Sequence, residues 1–456
     1  MAGCVVPREA GFPDVSQAVR QRTGYDVQWI RGEAEDAEVA AAVTRLLSDS
    51  LIVEEAVQIA LLNNRRLQAT YENLGVAQAE VVQAGLLRNP IFGGAAAWPL
   101  EGGGSPDLAF SVAFDFLGVL TIPLRRSVAA SAFEAEKARV SEAVLNLAAQ
   151  ARTGYYRAQA DAQMLELMEQ VLQAAEAAYL AAQRLREAGN IRTLDLLNEQ
   201  AQVEQARLDL MAAELALEGN REQLNRLMGL SGGQTNWQLP QRLEEVPKTA
   251  LAPADIASLA SEASLSLAAL RHEIETYGRR LGLTNIKSLV PDLHVGAALE
   301  RDDGEWELGP EVEIALPLFD QGQARRAAGM AELRRRRAEY VALAVETQSI
   351  ARAAQQQLMA SRQAALRYQS VLVPLRSRIT RETQLQYNAM QLGVFQLLQT
   401  RQMEIDAGRR YVETLFEFWR ARTAVDLLIQ GGMPESVTSS RPSGMNSSAT
   451  RSADGH

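Results

Sequence analysis

The chain has 456 residues, a formal net charge of -10, one cysteine and three histidines. Its length suggests more than one domain, and a hydrophobic content of 47% can support a large buried surface. The acidic balance argues against a general nucleic-acid binder, and so few Cys and His exclude a disulfide framework and a Cys/His metal cluster.

The start, Ala2-Gly3-Cys4, lacks a charged segment and an apolar segment before it. Cys4 is either a chance residue near a terminus or the lipidated end of a lipoprotein whose signal has been trimmed. Residues 1–50 contain Pro7, Pro13 and the acidic run 32–38, and we read them as an extended arm.

From residue 51 the composition turns to Ala, Leu, Gln, Glu and Arg, the text of long helices. No apolar run approaches the roughly 18 residues of a membrane-spanning helix. Closed barrels of alternating strands also satisfy the backbone in lipid, so a membrane location stays open.

The text then repeats at an offset of about 200 residues, which is the first thing to seek in a long chain. Residues 84–98 match 286–300, with Pro90 opposite Pro291. Residues 108–117 match 309–319, and each is followed by a basic pair, Arg125-Arg126 and Arg325-Arg326. Residues 185–202 match 388–402, where Gly189 and Gly393 break the helical text. Each half ends at glycines, 229–233 and 431–432.

Each half therefore reads helix, strand, strand, long helix, turn, helix. The first repeat spans 51–235, a linker 236–253, and the second repeat 254–432. The Ser-rich tail 433–456 cannot bury a core and is expected to be disordered. The helix over 127–187 runs about 90 Å at 1.5 Å per residue, a length that implies coiled-coil packing.

The expected strands are 91–98, 108–117, 293–300 and 308–318. In the second, Phe110, Val112, Phe114 and Phe116 share a face, and Asp115 lies on the other. In the fourth, Val312, Ile314, Leu316 and Leu318 oppose Glu311 and Glu313. Apolar-out, polar-in text of this length fits a barrel crossing a bilayer. Trp98 and Trp306 fall where interfacial aromatics belong, and Asp303-Gly304 reads as a hairpin turn. One such hairpin would equally suit a soluble core. Two copies, each joined to a very long helix, favour the membrane. Four strands cannot close a barrel, which takes about eight, so the chain must associate with copies of itself.

The duplicated order, the stretch 317–322 (PLFDQG) and the glycine-centred turns resemble the TolC-like outer-membrane efflux protein family over about 51–432. The resemblance implies a mainly α fold with a small transmembrane β part. It implies a homotrimer with a twelve-stranded barrel in the outer membrane and a long helical barrel in the periplasm. It implies an exit duct of a tripartite efflux system, passive itself and partnered by a periplasmic adaptor and an inner-membrane pump. Lipidation of Cys4 fits this family. Residues 387–407 resemble its heavy-metal branch, copper in particular.

By the same resemblance, Gly189, Asn190, Arg192, Gly393 and Val394 form the tips that meet the adaptor. The family constricts its entrance with acidic residues after the second turn. The matching positions here are Gln396 and Gln399, while Asp195 follows the first turn. An acidic, cation-selective gate is thereby put in question.

No enzyme, cofactor or metal site is inferred. LSGGQ (230–234) matches a signature of ATP-binding cassette proteins, but no Gly-Lys of a phosphate-binding loop occurs, and a glycine helix stop explains it. HEIET (272–276) lacks the second His of a zinc protease. The run Arg334–Arg337 reads first as a solvated helix face and second as a site for a partner or anionic lipid. Two rivals to the duct remain. A periplasmic coiled-coil adaptor would carry one helical hairpin in a β-rich domain rather than a repeated strand pair. A soluble coiled-coil scaffold would need no detergent.

Overall fold

Helical text and alternating text separate cleanly in three dimensions. The computed structural model describes residues 6–98, 106–240, 242–247, 255–289, 293–302 and 305–434. In chain order it contains α1 (Phe12–Thr23), α2 (Glu33–Leu46), α3 (Val53–Asn63), α4 (Arg65–Gly85), β1 (Ile91–Ala97), β2 (Asp107–Asp115), α5 (Phe116–Leu120) and α6 (Ile122–Glu187). There follow α7 (Thr193–Met228), α8 (Ile256–Ala263), α9 (Leu265–Leu289), β3 (Leu293–Asp302), β4 (Glu305–Ile314), α10 (Gln323–Arg367), α11 (Val373–Asn388) and α12 (Val394–Gln430). A π-turn, Tyr368–Leu372, joins α10 to α11 just before Pro374. Proline removes a backbone donor and crowds the preceding turn, a recognised cause of irregularity inside a long helix.

The chain divides into two compact units. The first comprises Met1–Gln17, Ala69–Ser141 and Leu265–Val345. Its core includes fully buried Tyr71, packed edge-to-face on Phe12 at 5.0 Å. Gly11 takes a φ of +70° beside the Phe133 ring, where a side chain would collide. Glu273 on α9 pairs with Arg336 of α10 at 2.9 Å and with Arg139 of α6. Arg335 and Arg336 both pair with Glu332. Half of the four-arginine run is therefore engaged within the helix layer.

The second unit comprises Ala18–Gln68, Glu142–Ser264 and Glu346–His456. It buries Ile59, Leu61, Leu224, Met228, Leu415 and Phe418, and Trp419 stacks on Tyr156 at 5.0 Å. Helix ends leave carbonyls without partners, and side chains supply them here. Asn63 Nδ2 donates to Met228 O and Gly229 O, and Asn64 Nδ2 to Leu227 O. Arg22 Nη1 does the same for Gln430 O at 2.6 Å. Gly229 and Gly431, at φ of 68° and 97°, stop α7 and α12.

One expectation is corrected. Residues 1–50 are not simply an extended arm, because they hold α1 and α2, with Val15, Val19, Val39 and Val43 buried. Pro13 is the second residue of α1, where its missing N–H is harmless. The acidic residues Glu33, Glu35 and Asp36 fill the first turn of α2, where negative charge is favoured. The described linker residues, 236–240 and 242–247, are irregular but tied down. Trp237, Leu243 and Val246 are buried, and side chains of Arg221, Gln159 and Trp419 donate to the carbonyls of Trp237, Arg242 and Glu244. Cys4, Pro291, the turn Asp303-Gly304 and residues 435–456 lie outside the described residues.

Candidate functional site

The sheet is the first element of the site. Its order is β1-β2-β3-β4, antiparallel throughout, with β1 and β4 as open edges. The register places Val112 opposite Phe92 and Ala297, and Val295 opposite Val312. One face thus collects Phe92, Phe110, Val112, Phe114, Val295, Leu299, Leu308, Val312 and Ile314. Phe110 stacks between Phe92 at 6.2 Å and Trp306 at 6.4 Å. The other face carries only small or polar side chains along most of its length, with Gly93, Ala95, Ser111, Ala113, Gly296 and Ala298 beside Glu300, Glu307, Glu311 and Glu313. His294 Nδ1 lies 3.6 Å from Glu313. No described strand residue is buried. Val312 is 61% exposed and Leu308 77%.

Two strands end sooner than their alternation suggests. Phe116 begins α5 rather than continuing β2, because Asp115 caps that helix. Its carboxylate accepts from Gly118 N at 2.6 Å and faces Arg88 at 3.4 Å. Asp115 is therefore a capping residue as well as a member of the small and acidic face. Leu316 and Leu318 follow the end of β4 at Ile314. Proline at 317 has no N–H to pair, and the residue before it is biased towards extended geometry. Both leucines are exposed all the same. Glu300 and Glu307 were missed in the sequence. They stand opposite each other, and only the register brings them to the acidic face.

The two helical turns are the second element. At the first, Gly189 N donates to Arg186 O and Asn190 N to Leu185 O, with Gly189 at a φ of 77°. The second uses the same bonds, Met390 N to Tyr387 O and Gln391 N to Gln386 O. Here the left-handed residue is Met390, at a φ of 60°. Gly393 is instead the extended N-cap of α12. Gly393 does fall at the break between α11 and α12, and with Met390 matched to Gly189 the repeats align here at an offset of 201 residues, the difference between 390 and 189.

Asp195 is the third residue of α7. It accepts from the backbone N–H of Arg192 and from its guanidinium at 3.2 and 3.1 Å. The guanidinium holds the Asp195 carboxyl below the usual carboxylate range. Its charge is thus locally answered, whereas Gln396 and Gln399 are exposed beside the second turn. Met390 is 91% exposed and Phe395 75%, and Leu194 and Leu197 are also exposed. Sequence reading missed these four. Apolar side chains at the start of a helix, on the far side from its core stripe, were the available signal.

Among the described residues no helix is long and apolar enough to cross a membrane, and no group of three or more His, Cys, Asp or Glu is placed to hold a metal.

The fold and its two-faced sheet resemble those of solved outer-membrane channels. Residues 56–230 match the family model described as outer membrane efflux protein. No curated protein matches the chain. Among solved structures, CusC shares 14% identity at a TM-score of 0.71, over 84% of this chain and 92% of that one. VceC of Vibrio cholerae shares 16% at a TM-score of 0.71, over 83% and 96%. The open-state channel MtrE of Neisseria gonorrhoeae shares 16% at a TM-score of 0.68, over 84% and 89%. The chain thus shares the fold of these solved channels, and its residues 56–230 match the outer membrane efflux protein model.

Proposed function

We propose that the chain is the outer-membrane exit duct of a tripartite efflux system. The observation that carries this reading is the four-stranded sheet with no buried residue, apolar on one face, small and acidic on the other, and open at both edges. A soluble sheet covers one face with its own core. This one needs lipid on one side, water on the other, and further strands at its edges, because unpaired edge groups are costly in a bilayer. Three copies joining β4 to β1 complete a closed wall. Phe110, Val112, Phe114, Val312 and Ile314 then face lipid, and Glu311 and Glu313 line the lumen, where they raise the local cation concentration.

The turns at Gly189, Asn190 and Arg192 and at Met390, Gly393 and Val394 form the periplasmic tips that meet the adaptor. The exposed Met390 and Phe395 supply apolar contact there. Gln396 and Gln399 narrow the entrance by size and hydrogen bonding. Asp195 contributes little free charge because Arg192 holds it. The duct performs no chemistry, and the inner-membrane partner supplies the energy. A copper or other heavy-metal cargo is supported by the resemblance of residues 387–407 and by the likeness to CusC. Lipidation of Cys4 adds an anchor.

Bilayer conductance of the purified protein tests the lumen assignment. The wild type conducts with a preference for cations, and Glu311→Gln with Glu313→Gln reduces that preference without abolishing conductance. Absence of any conductance from correctly assembled protein contradicts the duct.

A further inference from the structure

Within the second unit, α6, α7, α11 and α12 enclose a cavity of about 390 Å³, inside the range typical of small-molecule sites. Its walls are of two kinds. Leu167 and Val171 of α6 face Leu398 and Ile405 of α12, and Gln202 and Gln205 of α7 present amide groups.

Five charged side chains complete the lining, and most are answered. Asp209 pairs with Arg409, which also reaches Met168 Sδ at 3.1 Å. Arg401 Nη2 donates to Gln384 Oε1 at 2.8 Å. Glu199 is different. It is 6% exposed, and no described side chain or backbone group makes a hydrogen bond or ion pair with it. Glu404 lines the same space, which leaves three carboxylates against two guanidiniums. A buried carboxylate without a partner is costly, and a position that keeps one is a candidate for binding something that completes it. The second repeat does not share the feature. At the offset of the two turns, Glu199 corresponds to Thr400, whose hydroxyl is satisfied by Leu397 O.

We propose that this cavity binds a small organic monocation, an ammonium group on an apolar body, with the ammonium against Glu199. The buried Glu199 carboxylate with amides beside it matches the three donors of an ammonium, and the Leu, Val and Ile walls match the body. Two nearby guanidiniums disfavour a bare divalent metal. The proposal stands on the cavity and is independent of the duct reading. If that reading holds, an occupant joins the helices of both turns and opposes their separation.

Burial raises the Glu199 carboxyl above its ordinary value, with Arg401 pulling it down. The remaining titratable groups lining the space are Asp209 on α7 and Glu404 and Arg409 on α12, and Tyr387 on α11, outside the lining, feels the Glu199 charge. Cation binding therefore strengthens as pH rises through the elevated Glu199 value.

The test is titration calorimetry of the purified full chain with benzylammonium and with its neutral counterpart benzyl alcohol. We expect one saturable benzylammonium site per chain, with the alcohol at least about tenfold weaker. Glu199→Gln weakens benzylammonium by about tenfold or more and leaves the alcohol unchanged. Ala175→Leu, which fills the space, weakens both, and protects the test against a misfolded Gln variant. Equal affinity for ammonium and alcohol, unchanged affinity in Glu199→Gln, or no saturable site overturns the proposal. None of these outcomes depends on membrane assembly, so they are separable from failure of the duct.

Discussion

The strands and the helices of the second unit obey opposite rules of burial. Phe418 is wholly enclosed, between Trp419 at 5.2 Å and the packed helices. Phe114, of the same residue type, is 53% exposed on its strand. Helix α12 finds its apolar surroundings inside the chain. The sheet finds none, so its apolar face must be matched from outside. Apolar content alone did not separate these regions. The period of the pattern and the presence of a covering layer did.

Paired substitutions sharpen that contrast. Phe418→Ala removes a core ring and should destabilise the folded protein by about 3–5 kcal/mol, read as a lower melting point in detergent. Val112→Arg should leave the helical signal in place and act in the membrane, where an Arg near the midplane costs about 2–4 kcal/mol. The readout is loss of protein from the outer-membrane fraction. Ser111→Arg, one residue away on the opposite face, should assemble and alter conductance only. Equal failure of both strand variants would remove the lipid-and-lumen distinction.

Smaller effects probe the helices. With its pKa raised in the fold, Glu199 favours folding fully only below about pH 4.5, its ordinary value. That advantage is lost as pH rises through the folded value. Glu199→Gln should therefore raise the melting point at pH 7, and the gain should shrink towards pH 4. A gain that grows in acid contradicts burial as the cause. Met390 holds a backbone geometry that costs an ordinary residue about 1–2 kcal/mol. Met390→Gly should thus stabilise by up to about 1 kcal/mol, measured by denaturant unfolding, since glycine gives back part of the gain through its unfolded freedom. Gly189→Ala should move the other way at the matching position.

Much of this architecture was legible because it is written twice. A period of two in 108–117 and 308–318, set among long helical text, located the sheet, and the constant offset located the turns. The errors share a cause. Alternation continued past Ile314 in sequence, yet backbone pairing stopped there, opposite the first residue of β3, Leu293. Asp115 kept the alternating pattern while its carboxylate served the next helix. Gly393 was read as the helix break, and hydrogen bonding adds that Met390 is the left-handed residue and the glycine the cap. Pro13 looked like a breaker and instead starts a helix. In each case the residue type was read correctly and its partner was not visible. Glu199 shows the same limit, since nothing in its neighbours along the chain marks it as buried and alone.

The most direct measurement is the copy number of detergent-extracted protein from the outer-membrane fraction, by mass measurement of single particles. The account predicts three chains per particle, released only by detergent, with Val112→Arg absent from that fraction. A monomer recovered in the soluble fraction without detergent would contradict it.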